Sequence, residues 1–163
     1  MIHVKIEGVV LDLKSNLPIV MLKDDKQRVL PISVGIFEAQ AIAFALEKVR
    51  IPRPLTHDLT SSIIEKLGSS LLRIEITELK GNTYFARLVL KTKESEEVKI
   101  DSRPSDAIAI ALRLQAPIYA DESLLIRKEI QSKPIDDAEI KQFKETLNKL
   151  TPDMLWKYLK EEI

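Results

Sequence analysis

The feature that most constrains the fold is a six-residue run that occurs twice. Ala41-Ile42-Ala43-Phe44-Ala45-Leu46 and Ala107-Ile108-Ala109-Ile110-Ala111-Leu112 agree at every position except Phe44 against Ile110. A strand competes for any such apolar run. Three alanines in each copy, and Pro104 placed where a first helical turn has no use for an N–H, argue for helices instead, the second starting at Ser102 or Arg103. Apolar residues fall on more than one face, which predicts helices buried on most sides. The upstream flanks agree as well: Val29-Leu30-Pro31-Ile32 and Glu97-Val98-Lys99-Ile100 both read as short strands. Self-similarity of this length predicts an α+β chain built from a duplicated unit. Each unit is expected to be a small sheet of three antiparallel strands running into helices, over about 1–68 and 69–133, with a helical C-terminal extension over 134–163.

In chain order, Ile2, Val4 and Ile6 alternate with polar residues, and Val9, Leu11 and Leu13 alternate in the opposite phase, which predicts a β-bulge at Gly8. Lys14-Ser15-Asn16 turns the chain into a second strand over 17–23, and Asp24-Asp25-Lys26-Gln27 into a third over 28–34. The first helix is expected over 36–49. Pro52-Arg53-Pro54 stiffens a connector, Thr56 is placed to cap a helix, and Gly68 is placed to end it. In the second unit Gly81-Asn82 marks a hairpin between two alternating strands. Ala116-Pro117-Ile118-Tyr119 reads as an extended link, and Asp121 as the cap of a helix of about two turns. Two further helices are expected over 136–150 and 152–163, anchored by Phe143, Leu147, Leu150, Leu155, Trp156 and Leu159.

Composition narrows the setting. Lys plus Arg and Asp plus Glu both number 25, so no global field draws the chain to nucleic acid or membrane, and any attraction has to be local. With no Cys there are no disulfides, thiol nucleophiles or thiolate-bound zinc, which suits a reducing compartment. No signal sequence and no run of eighteen apolar residues is present, so the expected location is the cytoplasm, away from any membrane. A charged fraction of 31% leans toward a thermophile.

Three segments carry a resemblance. Leu30-Pro31-Ile32-Ser33-Val34-Gly35 with Glu38-Ala39 is the first, Arg53-Pro54-Leu55-Thr56-His57-Asp58 the second, and Asp101-Ser102-Arg103-Pro104-Ser105-Asp106-Ala107 with Ala116-Pro117-Ile118-Tyr119 the third. Together, and in this order, they resemble the bifunctional nuclease domain family, in the form of its short bacterial members. The resemblance implies a nuclease of low sequence specificity acting on RNA, DNA or both.

Phosphodiester cleavage needs water activation and neutralisation of charge building on the phosphate, most often through carboxylates around a divalent metal with a cation nearby. The motifs supply His57, Asp58, Glu38 and Asp106 as candidate catalytic groups. Arg53, Arg103, Ser102 and Ser105 are candidates for phosphate binding, where the helix start at Ser102 adds free N–H groups. Asp58, Asp101 and Asp106 are candidate ligands for magnesium or manganese, although no spacing among them matches a known metal signature.

Each residue also has a structural explanation. His57-Asp58 and Asp106 lie in first turns, where they complement the helix dipole, and Arg103 is placed to pair with Asp106 or Asp101 and tie the two units together. The alternative function is therefore a non-catalytic, oligomeric module that binds a phosphate-bearing ligand or a protein. A homodimer is expected in either case, because small sheets leave edges to cover.

Overall fold

The computed structural model describes residues 1–13, 15–49 and 51–127, all within a compact unit spanning Met1–Glu129. The turn residue Lys14 and the two expected C-terminal helices lie outside the described residues. The chain is α+β. Strands β1 (Ile2–Leu11), β2 (Pro18–Lys23) and β3 (Arg28–Ser33) lead into helix α1 (Ile36–Leu46), and α2 (Thr56–Lys66) follows. Then β4 (Ser70–Lys80), β5 (Thr83–Lys91) and β6 (Glu97–Ser102) lead into α3 (Pro104–Leu114), followed by β7 (Ile118–Ala120) and β8 (Ile126–Arg127).

Instead of two small sheets, the strands form one eight-stranded sheet in the order β6-β5-β4-β7-β1-β2-β3-β8. The segment expected to be a mere link is the strand that joins the halves. β7 pairs antiparallel with β1 (Val4 opposite Ile118) and parallel with β4 (Ile74 opposite Ile118). Ile118 and Ala120 are buried there, so their backbone polar groups need partners on both sides, and the edges of β1 and β4 provide them.

Local chemistry accounts for most of the connections. β1 carries its bulge one residue before the expected place, with Glu7 as the extra residue between Ile6 and Gly8. Gly81 (φ 55°) and Asn82 (φ 63°) both take left-handed backbone, the geometry of a tight hairpin turn, and set Lys80 opposite Thr83. Asp24 closes the β2–β3 turn by accepting from the Arg28 amide (2.8 Å) and the Arg28 Nε (2.7 Å). Leu55 rather than Thr56 caps α2, its amide donating to Asp58 Oδ2 at 2.8 Å. The expected two-turn helix after Asp121 is one 3-10 turn, Glu122–Leu124, with Asp121 Oδ1 accepting from the Ser123 amide.

The core consists of the helix-facing side chains of the sheet, among them Val4, Val20, Leu22, Leu30, Ile74 and Ile76, packed against α1 and α3. The two alanine-rich helices are not equally buried. In α3 the run Ala107–Ala111 is fully buried. In α1 only Ala39, Ala41 and Ile42 are buried, and Ala43–Leu46 are half-exposed. The physical reason is position, since α3 is flanked by both other helices while α1 lies at one side.

α1 also stops three residues earlier than its apolar pattern suggests. Lys48 takes left-handed backbone (φ 53°), the Val49 amide donates back to the Phe44 carbonyl (2.9 Å), and the Lys48 amide to that of Ala45 (3.4 Å). This is a Schellman ending with a lysine where glycine is usual. α2 ends in the same way at Gly68 (φ 75°), as its sequence predicts.

Candidate functional site

The starts of all three helices meet in one polar cluster. α3 brings Arg103, its N-cap, and Asp106 in its first turn; α2 brings His57 in its first turn; α1 brings Glu38 in its first turn. His57 Nε2 lies 2.9 Å from Asp106 Oδ1. Arg103 donates from Nε to Asp106 Oδ2 (2.7 Å) and from Nη2 to Oδ1 (3.2 Å), and its Nη1 lies 2.9 Å from Glu38 Oε1. Four of the residues singled out in the sequence thus converge, although 68 positions separate the first from the last. His57 is mostly buried (14% exposed), whereas Arg103 is 66% exposed and reaches solvent over the two carboxylates.

Burial by itself pushes the Asp106 carboxyl up. The hydrogen bonds from Arg103 and His57, with the charge of Arg103, outweigh it and hold the group below the usual carboxylate range. Asp106 is therefore a firm acceptor for His57 at neutral pH. A neutral imidazole that donates through Nε2 to this carboxylate keeps its lone pair on Nδ1, the tautomer a general base requires.

Asp58 belongs to a neighbouring arrangement. Its Oδ1 accepts from Arg113 Nε at 2.5 Å and its Oδ2 from the Leu55 amide. Burial raises its carboxyl, and Arg113 and Leu55 more than reverse that, so it too is lowered. Arg113 also donates from Nη1 to the carbonyls of Ala41 (3.2 Å) and Ala109 (2.8 Å), which ties α1 to α3. Sequence reasoning passed over Arg113. The available signal was that it is the first charged residue after the apolar run Ala107–Leu112, at the point where such a helix must satisfy a cation.

Other candidates lie apart. Asp101 is exposed on β6, where its backbone pairs with Arg87, and Arg103 pairs with Asp106 and Glu38 instead. Arg53 is exposed in the connector, with no hydrogen bond or ion pair among the described residues. Ser102 spends its hydroxyl on the Arg103 carbonyl (3.0 Å), and Ser105 is buried in the first turn of α3.

Among the described residues no three His, Cys, Asp or Glu side chains gather as a metal ion requires. Asp58 and Asp106 are each engaged by an arginine and Asp101 is elsewhere, so Asp58, Asp101 and Asp106 do not fit a resident magnesium or manganese. No helix among the described residues is long and apolar enough to cross a membrane.

Comparison with known proteins agrees with the three motifs. A family model described as the bifunctional nuclease domain matches residues 19–133. An uncharacterised protein of Mycobacterium tuberculosis is 36% identical over 161 residues, covering 93% of this chain and 96% of its own. Bifunctional nuclease 1 of Oryza sativa subsp. japonica is 31% identical over 121 residues, 71% of this chain and 37% of its own. Bifunctional nuclease 1 of Arabidopsis thaliana is 33% identical over 111 residues, 66% of this chain and 34% of its own. The chain therefore spans about a third of the length of the plant proteins it matches.

Proposed function

The chain belongs to the bifunctional nuclease domain family, and from that premise we propose that it is a nuclease of low sequence specificity that cleaves RNA, DNA or both. The observation that carries this reading is the His57–Asp106 hydrogen bond of 2.9 Å beside the exposed guanidinium of Arg103. Asp106 orients the imidazole, and Nδ1 takes a proton from the attacking oxygen, either water or a ribose 2′-hydroxyl, as the new P–O bond forms. The P–O bond to the leaving oxygen breaks, and the imidazolium returns the proton to that oxygen. Arg103 faces the phosphate, releasing its single bond to Glu38 to do so, and neutralises charge on the equatorial oxygens. No step is assigned to a metal.

The test uses the purified full chain on single- and double-stranded RNA and DNA, with and without chelator. Replacing His57 by Ala should lower the cleavage rate by about 10²- to 10⁴-fold, the usual yield of a general base. Degradation that persists unchanged in that variant rejects the site. Loss of wild-type activity on chelation makes the reaction metal-dependent and overturns the metal-free assignment of its steps.

A second reading has its own support. Arg103 and Arg113 are already bonded to carboxylates, as in a structural joint between helices. On this reading the chain is a non-catalytic, oligomeric module for a phosphate-bearing ligand or protein partner, and it binds nucleic acid in the same experiment without cutting it. Under either reading the proposed state is a homodimer formed through the outer edge of β6, which pairs with no further strand among the described residues, and the proposed setting is the reducing cytoplasm, which suits a chain without Cys.

A further inference from the structure

The Schellman ending of α1 has a second effect. By turning at Lys48 it carries Val49 and Ile51 back alongside Phe44, and the three side chains form the apolar walls of a cavity of about 190 Å³. Ala45 leaves room inside, Lys48 stands at the rim, and Asp58 and Arg113 complete the lining. This space is below the roughly 300–1,000 Å³ of sites for drug-sized ligands and suits one ring system.

Its polar lining is built rather than incidental. Arg113 is nine-tenths buried, and its bonds to Asp58, Ala41 and Ala109 use Nε and Nη1 only, leaving Nη2 as its remaining donor. Asp58 accepts one bond on each oxygen, and each oxygen has a second lone pair. A donor and an acceptor therefore stand side by side between apolar walls, with an exposed cation at the mouth.

We propose that this cavity is a nucleobase subsite: the faces of one base lie against Phe44, Val49 and Ile51, its edge exchanges hydrogen bonds with Asp58 and Arg113, and Lys48 meets the adjoining phosphate. Every nucleobase presents a donor next to an acceptor on one edge and has faces that pack on apolar and aromatic side chains. The compensating charges of Asp58 and Arg113 favour such a neutral edge over a simple anion in the interior. Arg113 lies seven residues beyond Asp106 on α3, two helical turns or about 10 Å, so one strand can place a base here and a phosphate at Arg103. The inference deepens the nuclease reading and rests on it for the source of the base, supplying a preference at one nucleotide without a longer sequence requirement.

The probes are AMP, GMP, CMP and UMP, with ribose 5-phosphate as the baseless control, titrated into the full chain by calorimetry and by amide chemical-shift mapping. At least one nucleotide should bind at least about tenfold more tightly than ribose 5-phosphate, with shifts at Lys48, Ile51 and Asp58. Lys48→Gly keeps the left-handed turn, folds at least as stably, and should weaken nucleotide binding at least about tenfold; Ala45→Phe should abolish it by filling the cavity. Equal binding of ribose 5-phosphate, shifts confined to other residues, or unchanged binding in Lys48→Gly overturns the proposal. Because binding is read without turnover, a chain that binds nucleotides but cuts nothing refutes the nuclease reading alone, and one that cuts but fails these tests refutes the subsite alone.

Discussion

Gly35 shows how one residue sets the electrostatics of the cluster. It caps α1 with ordinary backbone (φ −68°), so no left-handed conformation demands a glycine there. A Cβ at this position would fall on Glu38 Oε2, which folds back over the helix start and reaches Arg103. Replacing Gly35 by Ala should therefore swing the flexible Glu38 carboxylate away without strain in the backbone. Denaturant unfolding should register less than about 1 kcal/mol, because Arg103 is mostly exposed and a pair of that kind contributes little. If Arg103 is the phosphate-binding group of the site, Gly35→Ala and Glu38→Gln should both tighten nucleic-acid binding, as measured by filter binding at low salt. Weaker binding in both would make Glu38 part of the recognition rather than a brake on it.

At the scale of the elements, the two alanine runs give opposite expectations despite near-identity. Ala109 is fully buried in α3, so Ala109→Leu should overpack it and cost about 1 to 3 kcal/mol in thermal or denaturant unfolding. Ala43 is half-exposed in α1, and the same substitution there should cost under about 1 kcal/mol. Equal costs would contradict the difference in burial. The runs are alike in local propensity, which is why both are helices; burial depends on the neighbours each helix meets. The same distinction separates the connections. Gly81-Asn82 and Gly68 could be read directly, because left-handed backbone selects those residue types, whereas Lys48 gives no such signal in the same conformation.

For the molecule as a whole, pH dependence follows from carboxylates held below their ordinary range. Asp58 and Asp106 are two of these. Glu75 is a third: burial raises it, but hydrogen bonds from Arg73 (2.7 Å) and Arg87 (2.6 Å), with their charges, lower it by more. A lowered group binds its proton more weakly in the folded chain than in the unfolded one. Its contribution is complete above the ordinary carboxylate pKa and is lost as pH falls through the lowered folded value. Stability should be level above about pH 5 and decline below about pH 4, measured as denaturant midpoint against pH. A maximum in the acid range would contradict the ion pairs. The proposed dimer is checked by sedimentation at micromolar concentration, where a monomer rejects it. Charge reversal at Lys99 on β6 should shift the equilibrium if that edge is the interface.

What the sequence determined by itself is what local physics controls. Alternation placed β1, β4 and β5, turns and short strand-like runs placed β2, β3 and β6, alanine content and Pro104 placed α3, and short-range turn chemistry placed the hairpin at Gly81 and the end of α2. The motif residues Glu38, His57, Arg103 and Asp106 could be named in advance, because they lie in the segments that carry the family resemblance and their types suit phosphate chemistry. That they meet, while Asp58 turns to Arg113 and Asp101 and Arg53 stay apart, was decided only by the packing of three helices on one sheet. The central place of β7 was likewise invisible in three residues of chain. Its partners are the edges of β1 and β4, which lie distant in sequence, and only the closure of the sheet leaves a gap one strand wide between them.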